Sequence, residues 1–274
     1  MKTVGTSIII STYNQPEWLE KVLFGFNNQT YRMFEVVIAD DGSTNGTAQL
    51  LERIKNEVFF NIKHIWHEDR GFRKTIILNK AIAACSTPYV IMTDGDCIPR
   101  KDFVEQHVKY RQVGYFLSGG YFKLPLGISK KITKKDIYTE RCFRLKWLKK
   151  KGLPSNFKNN KLTATSLWAW LLNTLTPTAA TWNGHNASGW LGDIVAVNGF
   201  DERMQYGGED RELGERLKNK NIKAKQLRYT AIVLHLEHTR GYVTPGMIAR
   251  NRTLRAETKQ EKKTWTDHGI KKLI

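Results

Sequence analysis

The first 120 residues alternate two hydrophobic patterns. Residues 6–11 are a β-branched run that reads as a buried strand. Pro16 then stands where a helix opens, and Trp18, Leu19, Val22, Leu23 and Phe26 recur behind it at helical spacing. Residues 34–39 read as a second strand, stopped by the turn cluster Asp40-Asp41-Gly42-Ser43. Residues 47–55 and 74–84 read as helices, and 61–67 and 89–93 as strands. This βαβαβαβ order predicts a parallel sheet with helices on its faces, and such sheets bind ligands beyond the carboxyl ends of their strands. Polar clusters fall at those ends: Ser11-Thr12-Tyr13-Asn14, Asp40 to Ser43, and Asp94-Gly95-Asp96. From about residue 129 to 181 the pattern lapses into a basic, aromatic stretch. It resumes with 193–197 as strand, 208–219 as helix, 231–236 as strand and a basic helical tail from Pro245. With no internal repeat and no low-complexity linker, the pattern predicts one α/β domain carrying an insert.

Composition narrows this little. The chain has 274 residues, 41% of them hydrophobic and 11% aromatic, which suffices for a core and excludes a disordered polypeptide. No apolar run approaches the roughly 18–20 residues a membrane span needs. The opening MKTVGTSIIISTYN lacks a long apolar stretch followed by a small-residue cleavage site, so the expectation is a soluble or peripheral protein kept in the cytoplasm. Cys85, Cys97 and Cys142 have no metal-like spacing, and their odd number fits reduced thiols. The net charge of +18 changes the picture more, because such a surface attracts nucleic acid, anionic lipid or phosphorylated substrates.

Three short motifs carry candidate chemistry. In Asp94-Gly95-Asp96 two carboxylates follow a buried strand; carboxylate oxygens suit Mg²⁺ or Mn²⁺, and such a cation can bridge phosphate oxygens. A plain Asp-Gly turn would read the same way. In Gly207-Gly208-Glu209-Asp210 the glycines let backbone approach a ligand, and the acids can serve as general base and acceptor hydrogen-bond partner. An ordinary helix start also favours acids there. His235-Leu-Glu-His238 ends a strand with two possible metal ligands, or with two core histidines.

Their order says more than any one of them. Strand–STYN, strand–DDGS, strand–DGD, insert, NGFDE, GGED and strand–HLEH resemble glycosyltransferase family 2, with the GT-A fold, over residues 6–240. The stretch from Val197 to Leu217 resembles the galactosyltransferase-like half shared with chondroitin-type polymerases. The resemblance implies a GT-A domain with a mostly parallel central sheet flanked by helices. Residues 1–125 would bind nucleotide-sugar, 126–182 form the basic insert, 183–240 the acceptor and catalytic half, and 241–274 a basic helical tail. Ser11 and Tyr13 match positions touching the nucleotide base. Asp40 matches the acid that hydrogen-bonds uracil, and Asp41 lies toward the ribose. Asp94, Gly95 and Asp96 match the family's Asp-x-Asp, with Asp96 the more direct metal ligand. Asp210 matches the catalytic base, and Glu209, with Tyr206, Gly207 and Gly208, the acceptor site. The metal-binding histidine is His235, His238 or both. Relatives often carry Ala-Arg-Asn where this chain has Ile77-Leu78-Asn79; Arg70, Arg73 and Lys74 are the substitutes for the missing arginine at the diphosphate, unless they form a solvated basic face. Asn186, in Gly184-His185-Asn186-Ala187-Ser188, matches a stretch near the donor sugar, or a turn.

The implied reaction is a single displacement. Asp210 deprotonates an acceptor hydroxyl, Mn²⁺ or Mg²⁺ supports the departing UDP, and the anomeric configuration inverts; retention would need a nucleophile on the other face. A nucleotidyltransferase would usually show a Gly-rich, Lys/Arg-bearing loop after the first strand, where this chain has Ser-Thr-Tyr-Asn-Gln-Pro. A basic nucleic-acid-binding protein would leave the ordered acids unexplained, so no nucleic acid partner is expected. The expected partners are a UDP-sugar and a glycan or lipid-linked glycan acceptor, in bacterial surface polysaccharide or lipopolysaccharide assembly. Lys130 to Lys151, with Trp147, Trp168 and Trp170, adds an expected peripheral contact with the anionic inner face of the cell membrane, against the alternative of a solvated face.

Overall fold

The computed structural model describes residues 5–239 and 243–273. The N-terminal half runs β1 (Thr6–Thr12), α1 (Pro16–Asn27), β2 (Phe34–Asp40), α2 (Asn45–Ile54), β3 (Ile62–Trp66), α3 (Lys74–Ala83) and β4 (Tyr89–Asp94), in the order the hydrophobic pattern predicts. β1 is buried along its whole length because both faces are covered. Ile8 and Ile10 enter the core shared with α1, while Ile9 enters the one shared with α3. The parallel register continues the alternation: Ile9 lies between Val37 and Met92, and all three join the second core. Truncating Ile9 to Ala would cost about 2–5 kcal/mol. The same register sets Thr12 beside Asp40 and Ser11 beside Asp94, so three polar strand ends meet at one edge.

After β4 come β5 (Cys97–Pro99), α4 (Phe103–Tyr110) and β6 (Tyr115–Lys123). The basic segment folds as short helices α5 (Leu126–Lys131), α6 (Lys134–Tyr138), α7 (Leu145–Lys150), α8 (Asn160–Thr163) and α9 (Ser166–Leu175). The chain then re-enters the sheet with β7 (Ala187–Trp190), followed by α10 (Leu191–Ala196), α11 (Glu209–Asn219), β8 (Lys223–His235) and α12 (Pro245–Gln260). The eight strands form one mixed sheet in the order β3-β2-β1-β4-β7-β6-β8-β5. β7 is antiparallel to both neighbours, and β5 pairs antiparallel with β8, setting Cys97 beside His235.

Two readings of the pattern need correction. Residues 193–197 belong to α10 and its end, not to a strand; Ile194 and Val197, three apart, enter the same core as adjacent positions on one helical face. β6 and β7 were not legible as strands because small residues interrupt them. A Cβ on Gly119 would fall 1.9 Å from the Asn186 carboxamide oxygen, and one on Gly120 would fall 1.9 Å from the Arg228 carbonyl. The strand accepts these glycines to let other groups approach closely.

The turn Asn198-Gly199 before α11 has φ +67 at both residues. It is held by fully buried Arg216, which pairs with Glu212 at 2.7 Å and donates to the carbonyls of Val197 and Gly199. This pair fixes how α11 enters the molecule, and α11 begins at the cleft described next.

Candidate active site

One open cleft of about 960 Å³ lies beyond the carboxyl ends of β1 and β4. It gathers Ser11, Tyr13, Asp41, Lys74, Asp94, Gly95, Asp96, Tyr206, Gly207, Gly208, Glu209, Asp210, His235 and His238 from both halves of the chain.

At one end Asp96 meets the histidines of the β8 terminus. Its Oδ2 lies 2.9 Å from Nε2 of His238 and 3.4 Å from Nε2 of His235. The Cys97 thiol donates to the other oxygen at 3.2 Å. Ligating atoms of Asp96, Cys97 and His235 all lie within 4.8 Å of one another. Burial alone would raise the Asp96 carboxyl, but the His238 hydrogen bond and the charge of His235 outweigh it and hold it low. Burial and the neighbouring Asp96 push the Cys97 thiol far up, so it stays an S–H donor. A carboxylate with two imidazoles fits a divalent ion such as Mn²⁺, which takes both oxygen and nitrogen ligands.

Asp94 is engaged differently. Its Oδ1 accepts from Ser11 Oγ and from Lys74 Nζ, both at 2.6 Å. Burial opposes ionisation of both Asp94 and Lys74. Their mutual attraction outweighs it, with Glu209 and Asp210 adding to the field on Lys74, so the Asp94 carboxyl falls well below its ordinary value and the lysine rises above. Lys74 thus stands between the acids of the two motifs.

Elsewhere in the lining, Gly207 and Gly208 have φ +110 and +91, a backbone that side chains resist. The turn aims the Gly207 N–H at Oε2 of Glu209, 2.9 Å away. Burial, then the adjacent Asp210, push the Glu209 carboxyl up to about 7. Asp210 accepts N–H bonds from Gly184 at 2.9 Å and Arg211 at 2.7 Å, one on each oxygen. Each oxygen keeps a lone pair for an incoming hydroxyl. Tyr206 stands edge-on to Phe72 with ring centroids 5.9 Å apart, an aromatic wall beside the acids.

Several expected contacts lie elsewhere. Asp40 does not line the cleft: it is buried beneath it, accepting from the Ser43 N–H at 2.8 Å with His64 Nε2 2.9 Å away. Asp41 reaches the cleft instead, 2.7 Å from His67 Nε2 and accepting the Arg73 N–H at 3.0 Å; burial raises its carboxyl despite both contacts. Tyr13 does line the cleft, at an exposed position, with its hydroxyl donating to Asp69 at 2.8 Å. Arg70 pairs with Glu68 at 2.7 Å outside the cleft, and Arg73 also falls outside its lining. Asn186 is fully buried and turned from the cleft. Its amide donates to the carbonyls of Gly120 and Ala231, and its oxygen lies 2.9 Å from His107 Nε2, so it ties strands together.

The cleft also contains residues that the motifs did not flag: His185, Tyr121, Lys123, Arg252 and Arg255. His185 packs edge-on against Tyr121 at 4.6 Å, and burial lowers its pKa, keeping the ring neutral. Its place between Gly184, which binds Asp210, and Asn186 was the available signal.

A mixed, mostly parallel sheet with acids at the carboxyl ends of its strands and a second acid pair in the same cleft is the architecture of the GT-A glycosyltransferases. A Pyrobaculum calidifontis mannosyltransferase, solved with GDP-Man and Mn²⁺, aligns over 93% of this chain and 61% of its own with TM-score 0.58 at 20% identity. Staphylococcus aureus TarS 1–349, solved with UDP-GlcNAc, aligns over 94% and 69% with TM-score 0.60 at 17% identity. The profile of glycosyl transferase family 2 matches residues 7–153, and that of the N-terminal domain of galactosyltransferase matches residues 182–239. The chain belongs to glycosyltransferase family 2. Validoxylamine A glucosyltransferase of Streptomyces hygroscopicus subsp. jinggangensis is 27% identical over 228 residues, covering 77% of this chain and 50% of the relative. Chondroitin synthase of Escherichia coli is 31% identical over 106 residues, 38% of this chain and 15% of that protein. The chain therefore spans about half the length of the first of these relatives, and less of the second.

Proposed function

We propose that this protein is an inverting, divalent-metal-dependent hexosyltransferase that moves a sugar from a UDP-sugar to a hydroxyl of a glycan acceptor. The observation that carries the reading is one cleft lined both by Asp96 with two histidines and by Asp210, each of whose oxygens is still able to accept. Tyr13 and Asp41 face the nucleoside, while Asp40 fixes the turn behind them. Asp96, His235 and His238 would hold Mn²⁺ or Mg²⁺, which supplies positive charge against the diphosphate. Lys74 keeps Asp94 ionised and balances the acids across the cleft. Asp210 takes the proton of the acceptor hydroxyl, Glu209 and the Gly207-Gly208 turn position that hydroxyl, and Tyr206 with Phe72 offers the sugar an apolar face. Attack from the base side, opposite the leaving diphosphate, inverts the anomeric centre.

The names of relatives such as chondroitin synthase and poly-β-1,6-N-acetyl-D-glucosamine synthase support a glycan acceptor, as in bacterial surface polysaccharide or lipopolysaccharide assembly. Release of UDP across a panel of UDP-sugars, with GDP-sugars for comparison, tests the reading. UDP release that requires Mn²⁺ and stops in EDTA is expected; full activity in EDTA, or a preference for GDP-sugars, would overturn the metal or the uridine assignment respectively.

The site also fits a peripheral position on the inner face of the cell membrane. Among the described residues no helix is long and apolar enough to cross a bilayer. On α9, however, Leu167 is 75% exposed, Trp168 and Trp170 are each 54% exposed, and Leu175 is 68% exposed. Residues 141–192 hold Arg141, Arg144, Lys146, Lys149, Lys150, Lys151, Lys158 and Lys161 and no Asp or Glu. Trp147, by contrast, packs against the core. Exposed tryptophans beside unopposed cations suit an anionic headgroup layer. Lys161 donates to the carbonyl of Tyr121, so the surface adjoins the cleft wall.

A further inference from the structure

We infer that the acceptor carries an anionic group, a carboxylate or a phosphate, beside the hydroxyl that is glycosylated. This rests on the transferase reading above and deepens its acceptor side. Among the described residues, five lysines and arginines line the cleft: Lys74, Lys123, Arg211, Arg252 and Arg255. Three are already matched, Lys74 with Asp94 at 2.6 Å, Lys123 with Glu237 at 2.7 Å and Arg255 with Glu215 at 2.5 Å. Among the described residues no carboxylate pairs with Arg211 or Arg252, and both are exposed.

Their placement gives the ligand. Arg211 follows the base Asp210 directly on α11. Arg252 is on α12, whose Ile248 lies against Gly207 and whose Arg255 lies against Gly208, close enough that a Cβ on either glycine would touch them. Both guanidiniums thus sit on the elements that shape the acceptor turn, not on β4, which ends in Asp94, or on the turn after it, which carries Asp96. Aromatic Tyr206 and Phe72, apolar Ile248, the base Asp210 and two planar cations together suit a sugar ring with one oxyanion substituent. A guanidinium offers paired N–H donors that match a carboxylate or phosphate. The competing source of an oxyanion is the donor diphosphate.

The test is saturation-transfer NMR on the full chain with UDP and Mg²⁺, using methyl glucoside, methyl glucuronide and glucose 6-phosphate as probes. UDP affinity is measured in parallel by calorimetry. The anionic sugars should bind roughly 10-fold or more tightly than the neutral one, as expected for charge-assisted hydrogen bonds. The glucuronide and phosphate arms show which oxyanion is preferred. Arg211→Gln and Arg252→Gln should erase that preference and leave UDP affinity unchanged, while Arg252→Lys should restore part of it. Equal binding of all three probes, or no binding of any, overturns the inference while UDP binding leaves the transferase reading intact. Weakened UDP binding in the variants assigns the guanidiniums to the donor and also overturns it. Absence of UDP binding in the unaltered protein counts against the transferase reading itself.

Discussion

Glu209→Gln separates charge from shape at the acceptor turn. The amide keeps an oxygen for the Gly207 N–H, now 2.9 Å from Oε2, and removes only the ionisation. In the folded protein burial and Asp210 push this carboxyl from its ordinary 4.5 up to about 7. A displacement of that size is worth about 3 kcal/mol, at about 1.4 kcal/mol per pH unit. Its sign follows from proton binding. Between pH 4.5 and about 7 the folded state holds a proton that the unfolded chain has lost, so this contribution is complete below 4.5 and disappears as pH rises through about 7. Thermal and urea unfolding of both proteins from pH 4.5 to 8.5 measures it, because titrating groups away from Glu209 cancel in the difference and only its neighbours Asp210 and Lys74 respond to the change. The wild type should lose up to about 3 kcal/mol relative to the variant by about pH 7, and no more above it. The acceptor kcat/KM should bend near the same pH in the wild type alone. A stability difference that stays constant across the range would refute the claim that burial beside Asp210 keeps Glu209 protonated.

Asp96→Ala should abolish Mn²⁺-dependent UDP binding by calorimetry while circular dichroism stays native. Arg216→Met should cost about 3–5 kcal/mol, because it strands buried Glu212 and the carbonyls of Val197 and Gly199; Tm should drop on the order of 10 °C, and adding Glu212→Leu should recover much of the loss. Vesicle co-sedimentation should rise with anionic lipid and fall with salt, and replacing Trp168 and Trp170 with Ser, or Lys149, Lys150 and Lys151 with Glu, should weaken it without changing transfer to a soluble acceptor. Protein remaining in the supernatant at low salt with highly anionic vesicles would rule out the membrane contact.

The strands that form the sheet's parallel half were legible because β1, β2 and β4 are largely apolar and buried, the edge strand β3 sits between turn residues in the same alternation, and their helices carry clear 3.6-residue spacing. Of the later strands, only the end of β8, read at 231–236, was legible. β6 and β7 yield side-chain bulk at Gly119, Gly120 and Gly189 so that Asn186, Arg228 and Trp182 can pack there, and tertiary contact leaves no local pattern. The helix at Leu191–Ala196 carries adjacent β-branched residues and reads as a strand until its neighbours are known. The site followed the same rule. Motif residues at strand ends and at the Gly207-Gly208 turn converge in the cleft, because sheet register and positive φ fix them. The family resemblance gave Asp40 the base and Asp41 the ribose side; the direction of the turn brings Asp41, and not Asp40, into the cleft lining. Asn186 has the composition of a ligand contact, yet its hydrogen bonds are spent inside the protein. Arg252 and Arg255 come from a tail whose docking onto α11 no motif announces.

The most direct test of the central claim is the turnover of Asp210→Asn with a UDP-sugar, Mn²⁺ and an accepted glycan. Asparagine keeps the shape and one of the two acceptor positions, puts an NH₂ donor in the other and cannot take the proton, so kcat should fall by roughly 10²–10⁴ while UDP affinity stays within error of wild type. A kcat near that of the unaltered enzyme, with Glu209→Gln inactive instead, would contradict the assignment of Asp210 as the base.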